Sequence, residues 1–318
     1  MTDTPPSSAT AHGTHDFAGD PRNAEIVVNV NGHLVPRGQA TVSVFDAGFV
    51  LGDGIWEGLR VSAGHPAFLE QHLDRLWEGA AAIALDIGRS RAELTGEIYR
   101  TLAANGMDAD GVHVRLMVTR GPKSTPYQDP RVSAGPATLV IIAEHKQPLP
   151  ATLERGLSLF TVHVRRAQPD TLDPKLNAHS KLNDITACIQ AYTAGADEAL
   201  MLDPQGFVAT CNSTNFFVVR RGEVWTSTGM YCLAGITRAN VLRLCEEHGI
   251  PAHERGFSLT EVYSADEAFV TGTFAGVVPV HTVDGRRIGA GHRGPMVERL
   301  QTLYRELVRD DVATRQAP

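Results

Sequence analysis

The sequence predicts an α+β protein of two domains. Three observations carry that prediction. Apolar residues recur at helical spacing in some stretches and in short strand-like runs in others. The two kinds of segment are mixed, without the strict alternation of a doubly wound sheet. The chain has 318 residues, 42% of them hydrophobic, which suits about two cores.

The elements follow in order. Residues 26–30 read as a strand, and Asn31-Gly32 as a turn leading to Leu34. Residues 40–45 read as a second strand. Leu69, Leu73, Leu76, Ala80 and Ile83 form one stripe of a helix. Residues 112–119 and 138–143 read as strands, and 145–155, with two prolines and no periodicity, as a linker. The expected boundaries are a disordered tail over 1–20, a small domain over 21–146 and a larger one over 147–318.

In the second domain, residues 157–164 read as a strand. Leu182, Ile185, Ile189 and Tyr192 mark a helix ended by Gly195. Short strands follow at 198–202, 216–219, 224–226 and 267–270. Ser258-Leu259-Thr260-Glu261 is a capping box. Val297, Leu300, Tyr304 and Leu307 line a C-terminal helix.

Leu233-Ala234-Gly235-Ile236-Thr237-Arg238 reads as a loop turning into a helix, with Thr237 as its N-cap and Gly249 and Pro251 as its stop. Unpaired N–H groups and the positive dipole end at such a start favour a phosphate. Thr273, just past the strand over 267–270, adds a hydroxyl.

Net charge is −7, with no basic stripe, which argues against a nucleic-acid partner. No apolar run approaches the ~20 residues of a membrane span. The first 20 residues lack the apolar core of a signal peptide. None of the four cysteines forms a C-x-x-C pair, and the expectation is reduced thiols in a cytoplasmic protein. The 13 histidines show no metal-ligand spacing, so no metal site is expected.

Several segments together carry a family resemblance. They are Gly52-Asp53-Gly54-Ile55-Trp56-Glu57-Gly58-Leu59-Arg60, Phe68-Leu69-Glu70-Gln71-His72-Leu73-Asp74-Arg75-Leu76, Gly195-Ala196-Asp197-Glu198-Ala199, Asn215-Phe216-Phe217, Gly235-Ile236-Thr237-Arg238 and Thr271-Gly272-Thr273. In this order the chain resembles the class IV (fold type IV) pyridoxal-phosphate enzymes. That family includes branched-chain aminotransferases, D-amino-acid transaminases and aminodeoxychorismate lyases. The resemblance implies a small N-terminal α/β domain, a larger pseudo-barrel domain and pyridoxal 5'-phosphate between them. It also implies at least a homodimer, because both subunits border each site. Arg75 is then the phosphate-binding arginine, joined by the backbone of Ile236 and Thr237 and the hydroxyl of Thr273. Trp56 and Arg115 fall where relatives line the substrate pocket. Residues 119–127 lack the Arg-x-His signature of D-amino-acid transaminases.

Two departures touch the chemistry. The family's Schiff-base lysine position holds Asn177, with Lys175 two residues before it and Lys181 four after it. Lys181 is the expected catalytic residue and Lys175 the alternative. The glutamate that relatives set against the pyridine nitrogen is Thr210 here. A hydroxyl hydrogen-bonds to that nitrogen without supplying a charge. The expected function is amino transfer between an amino acid or amine and a 2-oxo acid. The alternatives are an aminodeoxychorismate-lyase-like reaction or a catalytically impaired family member.

Overall fold

The computed structural model describes residues 13–316. Of the stretch read as a tail, residues 1–12 lie outside the described residues. Residues 13–20 are not a free tail: Thr14 is buried against the second domain.

The N-terminal half is an antiparallel sheet of six strands in the order β2-β1-β6-β5-β3-β4. These are β1 (Val27–Val30), β2 (His33–Pro36), β3 (Gly54–Ser62), β4 (His65–Pro66), β5 (Val112–Thr119) and β6 (Thr138–His145). The short helix α1 (Ala47–Leu51) precedes β3. Helices α2 (Leu69–Ala82) and α3 (Arg91–Ala104) pack on the sheet, α3 opened by the Ser90–Glu93 capping box. The predicted stripe of α2 is the core: Leu69, Leu73 and Leu76 are each 1% exposed against Ile55, Leu59 and Leu116. Each such side chain stabilises the fold by about 2 kcal/mol on burial. The predicted strand over 40–45 does not form. Val42, Val44 and Phe45 are exposed, and among the described residues no strand pairs with them, although the Phe45 carbonyl accepts from the Lys123 N–H at 2.9 Å.

The C-terminal half holds a nine-stranded mixed sheet. Its strands are β7 (Leu157–Thr161), β8 (Glu198–Leu202), β9 (Val208–Cys211), β10 (Asn215–Arg220), β11 (Glu223–Thr226), β12 (Ala252–Glu254), β13 (Glu267–Gly272), β14 (Gly276–Val283) and β15 (Arg286–Arg287). The order is β12-β11-β10-β13-β14-β7-β8-β9, with β15 beside β14. Helices α4 (Pro150–Arg155), α5 (Pro169–Leu172), α6 (Leu182–Thr193), α7 (Ile236–Glu247), α8 (Leu259–Tyr263) and α9 (Pro295–Gln316) surround it. The segment read as a linker therefore contains α4, started by Pro150.

Helix α6 forms as predicted, and the apolar residues that mark it are not the ones that pack on the sheet. Leu182, Ile185, Ile189 and Tyr192 are exposed, while Ala187 and Ala191 are buried against Val162, Ala199 and Met201. Small residues let the helix sit close on β7 and β8, and the large apolar side chains point outward.

Candidate active site

One cavity of about 470 Å³ collects every site residue expected from the sequence: Trp56, Arg75, Arg115, Lys181, Thr210, Ile236, Thr237 and Thr273. Asn177 also lines it. Lys175 is exposed and is not among the lining residues.

The phosphate end begins with α2. His72 and Arg75, one turn apart, both reach Glu57 on β3, which is 1% exposed. Glu57 accepts from His72 Nδ1 at 2.7 Å, Arg75 Nε at 2.8 Å and Arg75 Nη2 at 2.6 Å. Arg75 Nη1 donates to the Ala234 carbonyl at 2.8 Å. A guanidinium has five N–H groups, so two remain, one on each terminal nitrogen. Burial pushes the Glu57 carboxyl up, but Arg75 and then His72 outweigh it and hold the acid below its ordinary range. Burial also lowers His72, opposed by the hydrogen bond and charge of Glu57.

Ala234 leads into α7. The N-cap is Gly235, not Thr237, and no side chain caps the helix. A Cβ at Gly235 would meet Asn215 Oδ1 at 2.0 Å, so any larger residue must displace the Asn215 amide. Asn215 Nδ2 in turn donates to the Leu233 carbonyl at 3.1 Å and braces the loop. The first N–H groups of the 12-residue helix, at Ile236 and Thr237, thus have no partner within the helix and lie beside the cavity. Thr237 is buried, its hydroxyl 3.2 Å from Tyr304 Oη. Thr273 follows β13 and lines the same cavity.

At the other end, Trp56 is locked to the segment before α6. Its N–H donates to the Asn177 carbonyl at 3.0 Å, its carbonyl accepts from Asn177 Nδ2 at 2.6 Å, and its Nε1 donates to the Ala178 carbonyl at 3.1 Å. A carbonyl only accepts, so the Asn177 amide must face it with its NH2, and Oδ1 is left buried without a partner. Arg115 lies 3.7 Å above the Trp56 ring and Lys181 Nζ 5.4 Å from its centroid.

Lys181 keeps one acid nearby, Asp184 Oδ2 at 3.8 Å, and Asp184 is itself paired with Arg166. Burial pushes the Lys181 ammonium below its ordinary range, opposed by Asp184 and reinforced by Arg166, Arg115 and Arg75. Thr210, 3% exposed on β9, donates its hydroxyl to the Thr214 carbonyl at 2.7 Å. Its oxygen still has acceptor capacity but carries no charge.

Sequence reasoning missed His113, Lys146, Phe274, Thr14 and His15, which also line the cavity. The period-2 signal was available for His113, two residues before Arg115 on the same strand.

The donor set suits a phosphate ester with an aromatic ring and a carbonyl. The paired guanidinium, two helix-start N–H groups and a threonine hydroxyl fit the dianion, and an amine of depressed basicity fits the carbonyl.

Comparisons with known proteins identify the family. A family model described as amino-transferase class IV matches residues 54–283. The chain is 42% identical to branched-chain-amino-acid aminotransferase-like protein 2 of Arabidopsis thaliana over 90% of its own length and 51% of that protein's. It is thus similar to about half of that longer relative. It is 34% identical to the branched-chain-amino-acid aminotransferase of Pseudomonas aeruginosa, over 89% of this chain and 92% of the relative. Among solved structures, the branched-chain amino acid aminotransferase of Thermobaculum terrenum, in its pyridoxal-phosphate form, superimposes with a TM-score of 0.80, at 25% identity over 91% of this chain and 95% of that one.

Proposed function

Since this chain belongs to the class IV aminotransferases, the fold type IV family whose cofactor is pyridoxal 5'-phosphate, we propose that it moves an amino group between an amino acid or amine and a 2-oxo acid, with Lys181 as its catalytic amine. The observation that carries this reading is the placement of Lys181: it shares a cavity with Arg75, Thr237 and Thr273, whereas Lys175 is exposed and the family's lysine position is Asn177.

When bound, pyridoxal 5'-phosphate draws electrons from the bonds of the carbon that bears the amino group. The chain's residues do the rest. Arg75, the N–H groups of Ile236 and Thr237 and the hydroxyl of Thr273 hold the phosphate. Glu57 fixes the guanidinium plane, so no reorganisation is needed on binding. Lys181 loses its proton more readily than a free lysine, and a neutral amine at Nζ can take a proton from the substrate and return it elsewhere. Arg115, stacked on Trp56, binds a carboxylate and so orients the substrate. Thr210, set against the ring nitrogen, would supply a hydrogen bond without a charge and so would weaken electron withdrawal relative to a carboxylate at that place.

Two coarser features support a homodimer in a reducing compartment. The exposed apolar stripe of α6 reaches the cavity through Ile185 and suits cover by a second copy. All four cysteines are free, which fits the cytoplasm.

The test is amino transfer by the cofactor-loaded protein, with and without a 2-oxo acid. Turnover that requires the acceptor supports the proposal, and pyruvate release without it supports a lyase. Lys181→Ala should lower turnover about 10²–10⁴-fold, and Lys175→Ala should leave it unchanged. Asn177 and Thr210 favour a second reading, a family member that binds without catalysis. Cofactor binding with no transfer under any donor would establish it.

A further inference from the structure

Residues 13–17 precede the family-matched stretch, yet Thr14 and His15 line the same cavity as Arg75 and Lys181. A turn closed by Asp16 N–H on the Gly13 carbonyl at 3.1 Å shapes the segment. Three ties hold it. Thr14 is 3% exposed, and both its N–H, at 3.3 Å, and its hydroxyl donate to Glu198 Oε1 at the start of β8. The other Glu198 oxygen accepts from Thr214 Oγ1 at 2.8 Å, so the anchor is itself fixed. The His15 ring lies on Phe274, with centroids 5.5 Å apart and planes 14° from parallel. Lys146 Nζ bridges the segment to the sheet, 4.3 Å from the Phe17 ring and 5.0 Å from that of Phe274.

Phe274 directly follows Thr273 of the phosphate cup, and His113 meets its ring edge-on at 5.6 Å. Lys146 and Arg115 are the cations acting on His15. The segment therefore borders the part of the cavity where a carboxylate is attracted.

We propose that residues 13–17 form a wall of the substrate end of the cavity, with the His15 ring limiting the size of the group a carboxylate ligand carries. The inference rests on the proposed function, because it takes the ligand to be a carboxylic acid beside the cofactor. The ring cannot swing aside without leaving Phe274, and the backbone behind it is held by the Thr14–Glu198 bonds. A small acid meets no obstacle, whereas a bulky one must displace the imidazole.

The test uses unreactive acids on the cofactor-loaded full chain, propionate as the small probe and 3-phenylpropionate as the large one, with affinities from calorimetry. His15→Ala removes the ring and should shift preference toward 3-phenylpropionate by about tenfold or more, the scale of a few methylenes in a pocket. Deletion of residues 2–17 should act in the same direction, and Thr14→Val, which unties the hydroxyl, more weakly. If both acids bind and His15→Ala leaves their ratio within twofold of the parent, the wall is refuted and the proposed function stands. If neither acid binds parent or variant, both are refuted.

Discussion

Asn177 holds Trp56 from two sides, its carbonyl accepting from the Trp56 N–H at 3.0 Å and its amide donating to the Trp56 carbonyl at 2.6 Å. Asn177 is therefore a brace for the aromatic platform under Arg115 and Lys181. Asn177→Asp replaces the donor with an acceptor against a buried carbonyl. It should lower unfolding stability by about 1–3 kcal/mol, more at high pH where the carboxyl must ionise. Denaturant midpoints at pH 5 and 8 check this, and coincidence with the parent at both would contradict it.

Arg75 is tied to Glu57 and the Ala234 carbonyl, and the proposed function gives it the phosphate as well. Arg75→Lys keeps a charge beside Glu57 but loses the fork that bonds its two oxygens. Affinity for pyridoxal 5'-phosphate should fall at least about tenfold, a loss of one charge-assisted hydrogen bond. Arg75→Ala should also destabilise the apoprotein by about 3–5 kcal/mol, because Glu57 then stays buried without its main partner. Equilibrium titration and denaturation separate the two effects.

A Cβ at position 235 would fall 2.0 Å from Asn215 Oδ1. Gly235→Ala should weaken phosphate binding by displacing the start of α7. Gly235→Ala combined with Asn215→Gly should regain part of it. Titration with inorganic phosphate reads both, and full affinity in the single variant would argue against the cup.

Glu198 gives stability a pH dependence. Burial pushes its carboxyl up to about 7 from the ordinary 4.5. The folded state then binds the proton more tightly, so this contribution is complete below 4.5 and is lost as pH rises through about 7. Glu198→Gln should remove the dependence, an effect of order 3 kcal/mol between pH 4 and 8. Parallel stability curves for parent and variant would rule this out.

Lys181 has the opposite slope. Its folded value lies below 10.5, so over that window the unfolded chain holds a proton that the folded chain has released, and stability rises with pH. For turnover, an amine that must be neutral sets the ascending limb of the rate profile, and the same depression should place that limb below the ordinary lysine range.

The elements legible in the sequence were those whose pattern answers to one partner. The α2 stripe meets a single sheet face, and Val112–Thr119 alternates as a central strand. The signals that failed had a different partner or none. Val42, Val44 and Phe45 read as a strand, but among the described residues no strand pairs with them. The apolar stripe of α6 is real, yet the alanines are the residues that pack inward. Thr237 reads as a cap, but the Asn215 contact makes Gly235 the turn residue. The residues that the cavity brings together were legible through motif order. Thr14 and His15 were not, because a short polar segment has no periodicity and its contacts lie far along the chain, at Glu198 and Phe274.

Lys181 as the amine that meets the cofactor can be read from a single covalent trap. The protein is loaded with pyridoxal 5'-phosphate, reduced with borohydride, digested and mapped by peptide mass. The phosphopyridoxyl group should sit on the peptide containing Lys181, be absent from Lys181→Ala and be retained in Lys175→Ala. A label on Lys175, or no label on a protein that demonstrably binds the cofactor, would overturn the assignment.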